Sequence, residues 1–198
     1  MGDVNEDAIR SAHERGDMQE AVRRGLDIYQ VEVYSFLCAR LRSEADAHEV
    51  FSQLTEDIVR GITKFAWRAS FRTWLYTLAR NAAVRFETAR AQHAKRHDPI
   101  SQVSDPIAVE RSRTRPYLRT DVKDRFAALR ESLSPEEQSL LVLRIDRDLS
   151  WDEVARIMYD GDEADDEELQ RHTTNLRQRF RQLKIRLEEW AKSEGLGD

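Results

Sequence analysis

The sequence contains little cysteine, proline or glycine, and it has no long apolar run. Its 198 residues include one cysteine, four prolines and seven glycines. Cys38 has no second cysteine to pair with, which excludes an internal disulfide framework. No stretch approaches the roughly 18 consecutive apolar residues that cross a bilayer, and the acidic N-terminus lacks a secretory pattern. We therefore expect a cytoplasmic protein with no membrane insertion.

Motifs of catalysis and of cofactor binding are absent as well. There is no glycine-rich phosphate loop and no nucleophile–base motif. Among the five histidines, only His93 and His97 are spaced as neighbours on a helix, and no third metal ligand accompanies them. We expect no catalytic residue, no metal site and no cofactor, so the sequence favours a binding protein over an enzyme.

The residues that are abundant favour helices. Ala, Leu, Arg and Glu dominate, and apolar residues recur at helical spacing through residues 7–94. Three of the four prolines fall within residues 95–120, which hold few large apolar side chains and are typical of a linker. Residues 121–192 form a second helical domain in this interpretation. The predicted fold is all-α, with two small helical domains joined by a flexible linker.

Two capping boxes predict helix starts in the second domain. In each box a serine is followed three positions later by a glutamate, so that each side chain can bond the backbone N–H of the other. The boxes are Ser134 to Glu137 and Ser150 to Glu153. They predict helices over about 135–146 and 151–159, followed by a third over about 173–192. The last two resemble a helix-turn-helix, whose second helix enters the DNA major groove.

The formal net charge of −5 hides a segregation of charge along the chain. Residues 64–96 hold eight Lys or Arg and one acid, and residues 171–187 hold six bases and no acid. Between them, residues 160–168 carry seven acids and no base. Each predicted domain therefore has a basic patch, which is compatible with nucleic-acid binding despite the acidic average.

Aromatic and cationic side chains alternate within the first basic patch, from Ser70 to Asn81. Single-stranded DNA binding needs flat side chains for base stacking beside cations for the backbone. Aromatic residues at helical spacing also form ordinary cores, so both interpretations apply to parts of the segment. We expect Phe71, Leu75 and Leu78 to be buried, and Arg72, Arg80 and one of Trp67 or Trp74 to stay accessible.

The third predicted helix has one apolar and one polar face. Leu176, Phe180 and Leu183 share the apolar face, and Arg177 and Arg181 lie opposite with two glutamines. Arginine and glutamine can bond guanine and adenine edges, respectively. A solvated amphipathic helix is the alternative, and the capped helix before it favours the DNA-binding interpretation.

The segment from Phe65 to Asn81 closely resembles region 2 of the extracytoplasmic-function (ECF) sigma factors of the sigma-70 family. Upstream, Asp46 to Gln53 resembles a diverged form of the acidic segment with which this family docks on the β′ clamp helices of RNA polymerase. Downstream, Leu133 to Ala155 resembles region 4, and Leu176 to Leu187 matches its recognition helix. These segments follow the order of the family.

The resemblance implies an RNA polymerase sigma factor that directs promoter recognition, promoter melting and transcription initiation. The expected partners are promoter DNA and core RNA polymerase, through its β′ clamp helices and β flap, and the resemblance allows an anti-sigma factor. The residues expected at the −10 element are Trp67, Arg68, Ser70, Arg72, Trp74, Arg80 and Asn81. Those expected at the −35 element are Thr173, Thr174, Arg177, Gln178 and Arg181. Those expected on the polymerase are Asp46, Glu49, Val50, Gln53 and Asp57.

Besides the diverged docking segment at Asp46 to Gln53, two features depart from the family pattern. An acidic insertion, Tyr159 to His172, replaces the short turn before the recognition helix. We interpret it as a solvated loop, with the alternative hypothesis that it repels DNA, or masks Arg177 and Arg181 until polymerase or another partner displaces it. Arg85 stands where the family often has an acid, so the −10 specificity is not transferred.

Two other functions stay open: a helix-turn-helix regulator that acts without polymerase, and a helical protein that binds partners but no promoter.

Overall fold

The computed structural model describes residues 6–96, 129, 132–161 and 165–193, and the regular elements in these residues are all helical. The α-helices are α1 (Asp7–Glu14), α2 (Met18–Leu41), α3 (Glu44–Gly61), α4 (Phe71–Arg96), α5 (Pro135–Leu141), α6 (Trp151–Met158) and α7 (Asp166–Ser193). A 3-10 turn, Ile62–Lys64, follows α3, and a π-helical turn, Val142–Asp146, extends α5. The predicted all-α fold is confirmed. Within the described ranges, no helix has the length and apolar character needed to span a bilayer.

Local capping fixes where the helices of the first half, residues 6–96, begin. The Asp17 carboxylate accepts the N–H of Glu20 at the start of α2, and Ser43 Oγ accepts that of Asp46 at the start of α3. Arg42 ends α2 in the left-handed conformation, with φ 57°, and so turns the chain into α3. Helices α2, α3 and α4 then pack around one core. Its fully buried side chains include Phe36, Leu37, Leu54, Ile58, Phe71 and Tyr76.

Gly25 allows α4 to approach α2 closely. A Cβ atom at this position would lie 2.2 Å from the ring of Phe71. The Phe71 ring occupies that space and stacks on Tyr29, with 6.4 Å between ring centroids. The start of α4 is therefore packed directly on the α2 backbone, and this contact positions the loop that precedes α4.

Both predicted capping boxes are present in the second half, the described residues from 129 onward. Ser134 and Glu137 bond each other's backbone N–H groups at the start of α5, and Ser150 and Glu153 do so at the start of α6. Helix α5 and its π turn cover the predicted span 135–146, and α6 ends one residue before its predicted end. The core of this half includes Leu140, Leu143, Leu149, Ile157, Leu176 and Phe180.

The last helix begins earlier than the sequence predicts. The predicted span of 173–192 is wrong at its start, because α7 begins at Asp166. The carboxylate of Asp165 accepts the N–H of Glu168 at 2.7 Å and caps the helix. Acidic side chains in a first turn are favoured by the helix dipole. Much of the predicted acidic loop is therefore helix, while residues 162–164 lie outside the described residues.

The two halves are packed against each other, with α2 and α4 of the first half contacting α5 and α6 of the second. Residues 95 and 96, assigned to the predicted linker, complete α4. The rest of that linker, up to residue 120, lies outside the described residues. The structure therefore gives the arrangement of the halves, and the predicted linker and domain boundaries stay predictions.

Candidate nucleic-acid interface

Glu6 and Ser70 fix the N-terminus of α4. Ser70 Oγ accepts the N–H of Thr73 at 3.0 Å, so this residue of the expected −10 set caps the helix. The Glu6 carboxylate accepts the N–H groups of Phe71 at 2.6 Å and of Arg72 at 2.9 Å. A carboxylate at this end of a helix is also favoured by the helix dipole. The loop before α4 is thus anchored at its C-terminal end.

Aromatic rings line the loop before α4. Phe65 stacks on Trp74, and the rings of Phe65 and Trp67 also lie in contact, each pair with 4.8 Å between centroids. Trp67 has a left-handed backbone, with φ 55°. Its indole N–H donates to Nδ1 of His13 at 3.3 Å, while Nε2 of His13 donates to the carbonyl of Ile62 at 2.9 Å. One nitrogen accepts and the other donates, which is the pattern of a neutral imidazole.

The expected accessibility of Arg72 and Arg80 is wrong for this structure. Arg80 is 3% exposed, and its guanidinium contacts Glu136 at 3.2 Å and Asp160 at 2.8 Å. Arg72 is half-buried and pairs with Glu32 at 2.6 Å. Both arginines lie where the second half packs on the first, a contact between distant segments that no local pattern indicates.

The other expectations for this segment hold in most positions. Phe71 and Leu75 are buried as predicted, whereas Leu78 is only partly buried at the edge of the core. The remaining members of the expected −10 set are the half-buried Trp67, Trp74 and Asn81 and the exposed Arg68. At the surface of this segment, the exposed Arg68 accompanies the half-buried Trp67 and Trp74.

A cavity of about 570 Å³ lies between this loop and the second half. The first half contributes Trp74, Lys64 and Arg68 to its lining, and the second half contributes Arg156 and Tyr159. Ligand sites commonly measure roughly 300–1,000 Å³. Aromatic walls with a cationic rim suit a nucleobase and its phosphate, because every base offers a flat face for stacking.

The polar face of α7 is open to solvent. Four residues of the expected −35 set are exposed: Thr174, Arg177, Gln178 and Arg181. The guanidinium of Arg177 lies 5.8 Å from the ring centroid of Trp151, which supports the side chain without covering it. The expected contact of Thr173 with the −35 element is wrong for this structure. It is 6% exposed and shares the packed face of α7 with Leu176 and Phe180, so it cannot reach a DNA duplex from this position.

Among the described residues of the acidic segment, Asp160 contacts the first half, and none is paired with the polar face of α7. Asp160 pairs with Arg80, and Asp165 caps α7. None of the described acidic residues forms an ion pair with Arg177 or Arg181. The hypothesis that this segment masks the two arginines is therefore wrong for its described part.

The expected polymerase-binding residues on α3 divide between core and surface. The expected contact of Val50 with the polymerase is wrong for this structure. Val50 is 0% exposed in the core of the first half and cannot contact a partner. Glu49 and Gln53 are exposed one helical turn apart, and Gln53 Nε2 donates to Glu49 Oε1 at 3.4 Å. These two residues present a polar, acidic face to solvent.

The other two expected polymerase residues are paired with α4. Asp46 accepts from Arg90 at 2.6 Å, and Asp57 forms an ion pair with Arg85. The pairing of Arg85 gives a structural reason for the basic residue at this position, since it joins α4 to α3. Both carboxylates are only partly buried, so each contacts solvent as well as its arginine partner on α4.

Arg40 is a buried charged residue that the sequence did not single out. It is 3% exposed, and its guanidinium donates to Glu87 at 2.8 Å, Glu136 at 2.9 Å and Ser139 Oγ at 2.7 Å. Burial alone would raise the pKa of Glu136, but the charges of Arg40 and Arg80 outweigh it and hold that pKa below its ordinary value. Because Glu136 lies 96 positions after Arg40, no local pattern could indicate the pair.

Known proteins match the part of the chain that carries this loop. The family described as sigma-70 region 2 matches residues 27–93, from within α2 to within α4. The RNA polymerase sigma factor YlaC of Bacillus subtilis is 26% identical over 133 residues, which are 66% of this chain and 75% of YlaC. The ECF RNA polymerase sigma factor BldN of Streptomyces coelicolor is 28% identical over 141 residues, which are 70% of this chain. Residues 27–93 thus match sigma-70 region 2, and the chain is similar to RNA polymerase sigma factors, one of them of the ECF type.

The family match lies within the first half of the chain. The matched residues contain α3, the aromatic loop and the start of α4. They therefore hold all the residues expected at the −10 element and on the polymerase. The match to BldN spans 52% of that protein, about half its length. The activity and the partners of the whole protein are accordingly treated below as proposals.

Proposed function

We propose that this protein is a sigma factor of the ECF type, which joins core RNA polymerase and directs promoter recognition, promoter melting and transcription initiation, with no catalytic step of its own. The observation that carries the proposal is the loop before α4, where Trp67 and Trp74 lie beside Arg68 within the region 2 match. Bases of the melted −10 element would be captured at this loop. Unstacking a base costs a few kcal/mol, which stacking on aromatic rings can offset.

In this proposal the second half corresponds to region 4 and binds the −35 element. Helices α6 and α7 would form the helix-turn-helix, with Arg177, Gln178 and Arg181 directed to the major groove. Their exposure on one face of α7 supports the assignment. The early start of α7 lengthens the recognition helix at its N-terminal end without changing this face.

The exposed face of α3 is the proposed contact with the β′ clamp helices of the polymerase. Glu49 and Gln53 are its central residues, with Asp46 and Asp57 at its edge. Val50 supports this face from the core. The second half would contact the β flap, and an anti-sigma factor is a further proposed partner. The proposal places the protein in the cytoplasm, with the polymerase.

Transcription with purified components tests this proposal. The protein is mixed with core RNA polymerase and genomic fragments, and new start sites are mapped. We expect start sites that require both the protein and the polymerase, and we expect Glu49→Ala to reduce them. Duplex binding without polymerase would instead support a regulator. The absence of both initiation and duplex binding would support a partner-binding protein. Either of these two results would overturn the proposal.

A further inference from the structure

The short segment from Glu6 to Glu14 precedes residues 27–93, which match region 2. Its helix, α1, buries Ile9 and Ala12 completely in the core of the first half. The chain then turns toward α2 through Gly16, whose φ of 79° lies in the left-handed region. The segment is therefore a packed part of the first half, although the family match does not include it.

Two side chains of this segment bond to both ends of the loop before α4. At the first end, Nε2 of His13 donates to the carbonyl of Ile62 at 2.9 Å. At the other end, the two carboxylate oxygens of Glu6 accept the first two N–H groups of α4, at 2.6 and 2.9 Å. Tyr29 on α2 donates its hydroxyl to the same carboxylate at 2.9 Å, which holds Glu6 in place. One short segment therefore anchors the loop on both sides.

Trp67, in the middle of this loop, has an unfavourable backbone conformation. Its φ of 55° lies in the left-handed region, which bulky side chains rarely adopt. Such a conformation costs free energy and persists only where surrounding contacts hold it. These contacts include the His13 ring, which accepts the indole N–H at 3.3 Å, the Phe65 ring, and the Arg10 guanidinium 5.6 Å from the indole centroid. Two of the three come from α1.

The bond to His13 fixes the orientation of the indole ring of Trp67. A ring that is already held in one orientation loses less conformational freedom when a base stacks on it, and this favours affinity. His13 itself is half-buried, and each of its ring nitrogens is bonded to a protein group. Neither nitrogen is available to a nucleotide, so His13 acts on DNA only through Trp67.

We propose that the segment from Glu6 to Glu14 positions the loop before α4 for base capture, with His13 and Glu6 as positioning residues that contact no DNA. The role of the loop rests on the proposed function. Loss of the bond between His13 and Trp67 would free the indole and let the left-handed backbone relax, while the core of the first half stays intact. Affinity for an unpaired −10 strand should then fall, and duplex contact by the polar face of α7 should not change.

Two substitutions of His13 separate its two hydrogen bonds. The glutamine amide reaches the position of Nε2, so His13→Gln keeps a donor for Ile62 and removes the acceptor for Trp67. The asparagine amide reaches the position of Nδ1, so His13→Asn keeps an acceptor for Trp67 and removes the donor for Ile62. His93→Gln is the matched control, because it makes the same change at an exposed position near the opposite end of α4.

Nuclear magnetic resonance reports the contact without DNA or polymerase. The indole N–H signal of Trp67 is assigned by its loss in Trp67→Phe, and its exchange with solvent is measured. We expect exchange about three- to tenfold faster in His13→Gln, because its hydrogen bond is lost, and within about twofold of the parent in His13→Asn and His93→Gln. Parent-like exchange in His13→Gln would overturn the positioning of Trp67, and so would equal acceleration in either of the other two variants.

Holoenzyme binding tests the consequence for DNA. Promoters found by start-site mapping are prepared with the −10 segment unpaired, and their affinity is measured by fluorescence anisotropy. His13→Gln and Glu6→Gln should each bind about three- to tenfold more weakly, with affinity for a −35 duplex within about twofold of the parent. If one variant does not fold, as judged by circular dichroism, the other decides. Unchanged affinity for the unpaired promoter, or an equal loss on the −35 duplex, would overturn the positioning role.

Start-site mapping separates this inference from the proposed function. If His13→Gln speeds exchange and the parent protein directs no start sites, the contact stands and the proposed function fails. If the parent directs start sites and His13→Gln binds the unpaired promoter as tightly as the parent does, the positioning role fails and the proposed function stands.

Discussion

The two surfaces proposed to bind promoter DNA differ in their accessibility. The loop before α4 is partly covered by the second half, and its neighbour Arg80 is 3% exposed. The polar face of α7 carries exposed Arg177 and Arg181. Both surfaces combine cations with polar or aromatic side chains, so composition alone does not distinguish them. Accessibility depends on which half packs against which, and that is a tertiary property.

The largest expected effect is a loss of stability on removal of a core ring, and it should be greater in the first half than in the second. Phe71→Ala removes a fully buried ring that contacts Tyr29 and Trp74, so we expect a loss of about 3–5 kcal/mol in the free energy of unfolding. Phe180→Ala is the control in the second half, where the ring is 8% exposed and the loss should be smaller. Chemical denaturation measures both. A loss below about 1 kcal/mol for Phe71→Ala would contradict the packing described.

A second experiment tests the open surface. Arg177→Ala should weaken binding of holoenzyme to −35 duplex by about 1–3 kcal/mol if the side chain contacts a base. A loss that is equal for all sequences would assign it to a phosphate. Thr173→Val is the control, since that buried position should not alter DNA affinity. Fluorescence anisotropy is suitable, and an equal loss in both variants would contradict the assignment.

Acid should weaken the contact through which the second half covers the loop before α4. The pKa of Glu136 is lowered in the folded protein, so its stabilising charge is complete above the ordinary carboxyl pKa and is lost as pH falls through the lowered value. We expect small-angle scattering to show expansion of the wild type when the pH falls from about 7 to below about 4. Glu136→Gln should be expanded at both values. If Glu136→Gln expands by as much as the wild type over this range, Glu136 is not the titrating group.

The smallest effect is expected from a surface ion pair. Arg90→Ala breaks the pair with Asp46, and the arginine side chain is 71% exposed. Exposed pairs contribute roughly 0–1 kcal/mol, because solvent and salt screen them. Thermal denaturation should show a change of that size, well below the effect of removing Arg40. A loss comparable to that of Arg40→Ala would mean that burial does not distinguish the two kinds of pair.

Local features of the fold were predictable from the sequence. The boxes at Ser134 and Ser150 act within one helical turn, so their residues carry the whole signal. The apolar residues that recur at helical spacing through residues 7–94 include Val50, Leu54 and Ile58, and this spacing indicates a core face, although the family resemblance also places Val50 on the polymerase. The structure supports the spacing. The spacing of apolar residues indicates which individual side chains are buried. A family resemblance instead assigns a function to a whole segment, including its buried residues.

Long-range features were not predictable in the same way. The start of α7 depends on Asp165, one acid in a run of seven, and composition gives no reason to choose it as the cap. Arg80 is buried by Glu136, which lies 56 positions away. In the sequence alone, an arginine in a basic patch has the same appearance whether it faces solvent or another domain. Only the tertiary arrangement separates the two cases.

The bond between His13 and Trp67 has a consequence for sequence variation among relatives. Because His13 receives the indole N–H and also binds the Ile62 carbonyl, it ties α1 to the loop and to the end of α3. A replacement of Trp67 by a ring without a donor would leave Nδ1 of His13 unpaired. Positions 13 and 67 should therefore change together through evolution, and α1 should be retained wherever this tryptophan is retained.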